Sequence, residues 1–166
     1  MGIEFNICQI FDIADELERN RADFFRKASN KFSDKKIKET LIEIADLDNY
    51  NAEAFAHIKE GFSSSDCPLT VFDPDNIDHL YLKAMADDHI CNFDACKNMV
   101  GNETLEEILR MALRMEKDAL AFYTGLENFV ARNNVKNIDL IIREKTKHIG
   151  VIVKKLNELK KSFRKK

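Results

Sequence analysis

The sequence predicts an all-α protein, an antiparallel four-helix bundle built as two helical hairpins joined by a long crossover that contains a short helix. Three observations lead there. Gly, Pro and Trp number five, two and none, while Leu, Ile, Ala, Glu and Lys recur in long stretches, a composition that favours helix. Apolar residues return at helical spacing over four long segments. The segments pair through short connections within each half, and a much longer connection separates the halves.

The first helix is expected over about 3–31, with Ile7, Phe11, Ala14, Leu17, Phe24 and Phe25 on or near one stripe. The second is expected over about 33–60, with Ser33 as its cap, Ile37, Leu41, Ile44, Ala45, Ala52 and Phe55 as its apolar face, and Gly61 as its stop. TLEE opens the third, over about 103–132, where Thr104 and Glu107 have the spacing of a capping box. The fourth follows Asn133 and Asn134 and runs over about 135–162. The crossover, about 62–102, opens with GFSSSDCP and carries a helical stretch near Ile77–Ala86. A helix of about 28 residues is roughly 42 Å long, so a connection of this size is what a return along the bundle requires. The whole of 1–166 reads as one domain.

At 45% hydrophobic and 33% charged, the chain has the balance of a soluble globular protein. It holds no apolar run near the roughly 18 residues of a membrane span and opens with no signal pattern, so a cytoplasmic location and no membrane partner are expected. Cys8, Cys67, Cys91 and Cys96 form no C-x-x-C pair, which excludes a zinc ribbon or rubredoxin-type site and leaves reduced thiols as the expectation. His89, Cys91 and Cys96 are too irregularly spaced to favour a metal. The final KKLNELKKSFRKK holds seven basic side chains, which suit a solvated helix end; no recognition pattern for nucleic acid accompanies them. Asp78-His79 and Asp88-His89 lack further ligands at helical spacing, His57 falls off the apolar stripes, and no phosphate loop or hydrolase motif is present.

Each stripe is broken once, near its middle, by a polar residue. Glu18 lies among Phe11, Ala14, Ala22 and Phe25. Asp48 lies among Leu41, Ile44, Ala45, Ala52 and Phe55, with Asn51 three residues on. Glu116 lies among Leu109, Ala112, Leu113, Leu120 and Tyr123. Lys145 shares its face with Ile138, Ile141, Ile142, Ile149 and Ile152, with His148 three residues on. The halves repeat: ERNRADFF is followed thirty residues from its Glu by DNYN, and EKDALAFY twenty-nine from its Glu by KTKH.

With these residues the chain resembles the rubrerythrin-type branch of the ferritin-like superfamily over its four helices. That family's order is Glu, Glu-x-x-His, Glu, Glu-x-x-His, the ligand set of a carboxylate-bridged di-iron site. Glu18 and Glu116 match the single glutamates and His148 the second histidine, whereas Asp48, Asn51 and Lys145 depart from the pattern. The resemblance implies iron, one or two ions or none, held by Glu18, Asp48, Glu116 and His148. It implies oxidoreductase chemistry with peroxide or dioxygen, Tyr50 and Tyr123 beside the ligands, and a separate electron donor. Lys145 opposes this: an ammonium at a ligand position repels a cation, and its natural partners are Glu18, Asp48 and Glu116. The alternative is therefore a metal-free bundle, a binding or scaffold protein, in which Lys145 replaces metal charge. A homodimer through the hairpins is expected under either reading.

Overall fold

Asn6 sets where the first helix begins: its backbone is extended and its side chain accepts from the Cys8 amide at 2.9 Å, satisfying one of the donors a helix start leaves open. The computed structural model describes residues 6–65, 67, 80, 101–127, 130 and 132–163. Among them four helices form, α1 (Ile7–Ser29), α2 (Lys35–Glu60), α3 (Leu105–Leu126) and α4 (Val135–Phe163), and no strand. Of the expected helix near Ile77–Ala86 only Leu80 is described, as helical; the two Asp-His pairs, Cys91, Cys96 and the last three basic residues lie outside the described residues.

The cap of α2 is Asp34 rather than Ser33, its carboxylate accepting from the Ile37 amide at 2.9 Å. Thr104 and Glu107 close the capping box of α3 in both directions, with Thr104 Oγ1 accepting at 3.2 Å and Glu107 accepting from the Thr104 amide at 2.7 Å. That helix ends at Leu126, short of the Arg132 expected. A turn through Asn134 starts α4, its carbonyl accepting from the Asn137 amide at 2.9 Å.

Helices α1 and α2 pack as one hairpin and α3 and α4 as the other. Their buried faces meet in two apolar clusters. One gathers Phe11, Phe55, Phe122, Tyr123, Ile138 and Ile141; the other gathers Phe25, Leu41, Ile44, Leu109, Ala112 and Ile152. Phe11 sets its ring edge-on to Phe55 and Phe62, at 6.1 and 5.1 Å between centroids. Ion pairs rim the hairpins, Arg26–Asp46 at 2.9 Å and Lys59–Asp12 on one and Lys155–Glu43 between α2 and α4, all partly exposed and each adding little.

Two contacts tie loop to helix. Gly101 adopts φ 92°, and a Cβ there would stand 2.7 Å from the Lys31 carbonyl oxygen, so glycine lets the approach to α3 pass against the end of the first hairpin's turn. Cys8 and Cys67 form a disulfide, with Cα atoms 5.6 Å apart, where reduced thiols were expected. It fastens the first turn of α1 to the chain beyond α2. No helix among the described residues is long and apolar enough to cross a membrane.

Candidate metal centre

Between the two apolar clusters lies a layer of charge. From α1 come Glu18 and Arg21, from α2 Asp48 and Asn51, from α3 Glu116, and from α4 Lys145 and His148, all of them buried. Each sits on its helix's inward stripe because residues three, four and seven apart share a face. Arg21, Asp48, Glu116 and Lys145 are at 0 % exposure, so each charge must be balanced from within the layer.

Lys145 Nζ donates to Glu18 Oε1 and lies 3.4 Å from Glu116 Oε2. Asp48, expected as its third partner, is instead turned to Arg21, whose Nη2 is 3.1 Å from Asp48 Oδ1. The same Nη2 contacts Glu116 Oε1, and Arg21 Nη1 is 3.7 Å from Glu18 Oε1. Both glutamates thus face both cations, and Glu116 does so with one oxygen each. Arg21 thus meets all three acids of the layer as ion pairs. Asn51 Nδ2 donates to Glu18 Oε2 at 3.2 Å. His148 Nδ1 lies 3.1 Å from Glu116 Oε1 and 3.5 Å from Asp48 Oδ1.

Three carboxylates and two permanent cations leave one excess negative charge when all are ionised and His148 is neutral. The protonation preferences follow. Burial pushes the Asp48 carboxyl up to about 6, against the pull of Arg21. Burial would raise Glu18 as well, but Lys145 and then Arg21, with hydrogen bonds from Lys145 and Asn51, hold it below the usual carboxylate range. Burial lowers the Lys145 ammonium, with Glu18 opposing, and brings His148 down to about 4 although Asp48 favours its charged form. Asp48 is therefore protonated more readily than Glu18, and His148 is a neutral imidazole at pH 7.

Asp48, Glu116 and His148 each offer a ligand atom within 4.8 Å of one another, the group of described residues that could hold a metal ion. Glu18 stands beyond that trio, on Lys145. Tyr123 is fully buried with its hydroxyl pushed well above its ordinary value by burial and then by Glu18, and its Oη has no hydrogen-bond partner among the described residues. Tyr50 is 63 % exposed and does not belong beside the layer, contrary to expectation. It lies two residues from Asp48, roughly 200° around the helix. His57 is at the surface, its Nδ1 3.2 Å from Glu60.

Arg21 is the member of this charged layer that sequence reasoning missed. A signal existed: Glu18-x-x-Arg21 has the spacing of Asp48-x-x-Asn51 and Lys145-x-x-His148, and Arg21 falls on the stripe of Phe11, Ala14, Glu18 and Phe25.

No known family profile matches the chain, and no curated protein sequence does. Among solved structures it is similar to a crystal structure of a Thermotoga maritima protein assigned provisionally as ferritin-like diiron-carboxylate, at 22% identity and a TM-score of 0.57, over 95% of this chain and 99% of that one. At that identity the likeness establishes the fold: an all-α, ferritin-like four-helix bundle.

Proposed function

We propose that this chain is a rubrerythrin-like member of the ferritin-like superfamily whose carboxylate centre has become an internal ion network, and that it serves as a metal-independent binding or scaffold protein. One observation carries the reading: a fully buried lysine, at a position where the family places a ligand, pairs with two of the remaining acids. Two ferrous ions need about four carboxylates for neutrality. The layer has three, and two protein cations already stand on them, so the residues present do not fit a di-iron centre. A fixed ammonium supplies the charge that holds the acids together without iron, and the bundle keeps its shape whatever the metal supply.

A second reading rests on the Asp48, Glu116 and His148 trio, which could take a reduced complement of one ion. Iron held there would bring the peroxide or dioxygen chemistry of the resembled family, with electrons from a separate donor. Either reading includes a homodimer through the hairpins. The cytoplasmic location expected from the sequence is set against the Cys8–Cys67 disulfide, a bond that reducing compartments do not favour.

Metal analysis separates the readings. Protein purified from culture supplemented with iron, manganese and zinc is expected to retain well under one ion per chain and to lack near-ultraviolet absorbance that bleaches on reduction. One tightly held ion per chain would favour the second reading, and two would refute the first outright.

A further inference from the structure

Lys145 accounts for one side of the charged layer, and the other side has its own cation. We propose that Arg21 closes a latent site for one divalent metal ion formed by Asp48, Glu116 and His148, so that Lys145 and Arg21 together take the places of a metal pair; this rests on the metal-independent reading above.

The argument is one of shared atoms. Arg21 Nη2 contacts Asp48 Oδ1 and Glu116 Oε1, and His148 Nδ1 approaches those same two oxygens at 3.5 and 3.1 Å. A guanidinium nitrogen therefore occupies the ground on which two carboxylate oxygens and an imidazole nitrogen converge. The opposite oxygen of Glu116 turns to Lys145. One carboxylate spanning two cations is the arrangement of a bridging ligand, with protein nitrogens in the positions of ions. Two carboxylate oxygens and one neutral imidazole suit a first-row divalent ion such as cobalt, zinc or manganese. Neither ring nitrogen of His148 has a hydrogen-bond partner among the described residues, so no aligned hydrogen bond ties the imidazole elsewhere. The imidazole-to-carboxylate separations, 3.1 and 3.5 Å, are already those of ligands about 2 Å from a common ion. What stands among them is the guanidinium.

Arg21→Gln removes the charge and keeps much of the volume. Cobalt(II) is the probe, since a protein-bound ion of low coordination number absorbs in the visible. The wild-type chain is expected to give no such band in equimolar cobalt, and Arg21→Gln to take one equivalent and melt at a higher temperature with the ion than without. Arg21→Gln combined with His148→Ala should bind about tenfold more weakly or worse. A folded Arg21→Gln that binds no cobalt while the wild type is also empty overturns this inference and leaves the metal-independent reading standing. A wild type that takes cobalt at the layer overturns both. If Arg21→Gln does not fold in metal-free buffer, refolding with cobalt is expected to recover the helical signal, because the ion supplies the missing charge; failure to recover it overturns the proposal.

Discussion

The two hairpins share one frame and carry different charge. Helices α1 and α2 bring two acids, Glu18 and Asp48, with Arg21 and Asn51; helices α3 and α4 bring one acid, Glu116, with Lys145 and His148. The cations cross over. Arg21 of the first hairpin reaches Glu116 of the second, and Lys145 of the second reaches Glu18 of the first. Each half therefore offsets charge on the other, although Arg21 also faces Asp48 and Glu18, and Lys145 faces Glu116, within their own hairpins. The apolar clusters above and below the layer hold the halves together by area, which tolerates sliding; the crossed pairs fix which residues stand opposite.

The strongest way to break that reciprocity is to remove one crossing cation. Lys145→Ala leaves Glu18 and Glu116 buried with a single guanidinium between them, and losing one partner of a buried pair costs about 3–5 kcal/mol. Urea denaturation should show that loss. The pair taken out together, Glu18→Gln with Lys145→Met, should cost much less than the two single changes summed, since neither orphaned charge survives. Additive losses would mean that the two side chains do not act as a pair.

A covalent tie distinguishes the hairpins next. Cys8–Cys67 belongs to the first alone, linking α1 to the chain beyond α2 across 59 residues of sequence. Cys8→Ser should destabilise by about 2–4 kcal/mol under oxidising conditions and by little in excess reductant. Equal stability of parent and variant in oxidant would show that the bond contributes nothing.

Asp48 on one hairpin and His148 on the other oppose each other in pH. Folding raises the Asp48 carboxyl to about 6 from its ordinary 3.8, so the cost of its buried charge is relieved as pH falls through 6. Folding lowers His148 to about 4 from 6.5, so its contribution is lost as pH falls from 6.5 towards 4. Burial is the largest cause of both shifts, and Arg21 and Glu18 from α1 and Lys145 beside His148 on α4 modulate them, while Glu116 from α3 also faces both groups. The opposed slopes offset each other in the parent. His148→Gln should gain stability, on the order of 2 kcal/mol, between pH 7 and 4.5, and Asp48→Asn should lose a similar amount over the same range. Chemical denaturation at three or four pH values checks both signs; identical slopes in the two variants would contradict the assignment. Glu18, held low, adds its own loss only below about 4.5.

The frame was readable in advance because it rests on periodicity. Apolar spacing located all four helices, and Glu18, Asp48, Glu116 and Lys145 stood out as polar breaks in otherwise apolar faces. The misses have local causes. Ser33 and Asp34 are both good caps, and only backbone geometry chooses between them. An arginine three residues from a glutamate has the spacing of a surface pair, and only the position of α3 reveals that the head of Arg21 has Glu116 to meet inside. Tyr50 stands only two residues from Asp48, but the rotation of the helix carries it to the surface. The disulfide depends on where the chain beyond α2 returns, which no spacing of cysteines encodes.

The mildest test concerns how the second hairpin begins. Asn6 caps α1 and Asp34 caps α2 through one side-chain acceptor each, while α3 has the reciprocal box of Thr104 and Glu107. The Glu107 carboxylate lies below its usual range because it accepts from the Thr104 backbone and then its hydroxyl, which marks the charged form as the bonded one. Thr104→Ala removes the hydroxyl and should cost about 1 kcal/mol. Because the capping box stands at the end of α3, well away from Glu116, the loss should add simply to that of Lys145→Ala rather than couple to it. Coupling above about 0.5 kcal/mol in the double variant would show that the start of α3 and the ionic layer move as one, and that the second hairpin is positioned by its cap as much as by its charges.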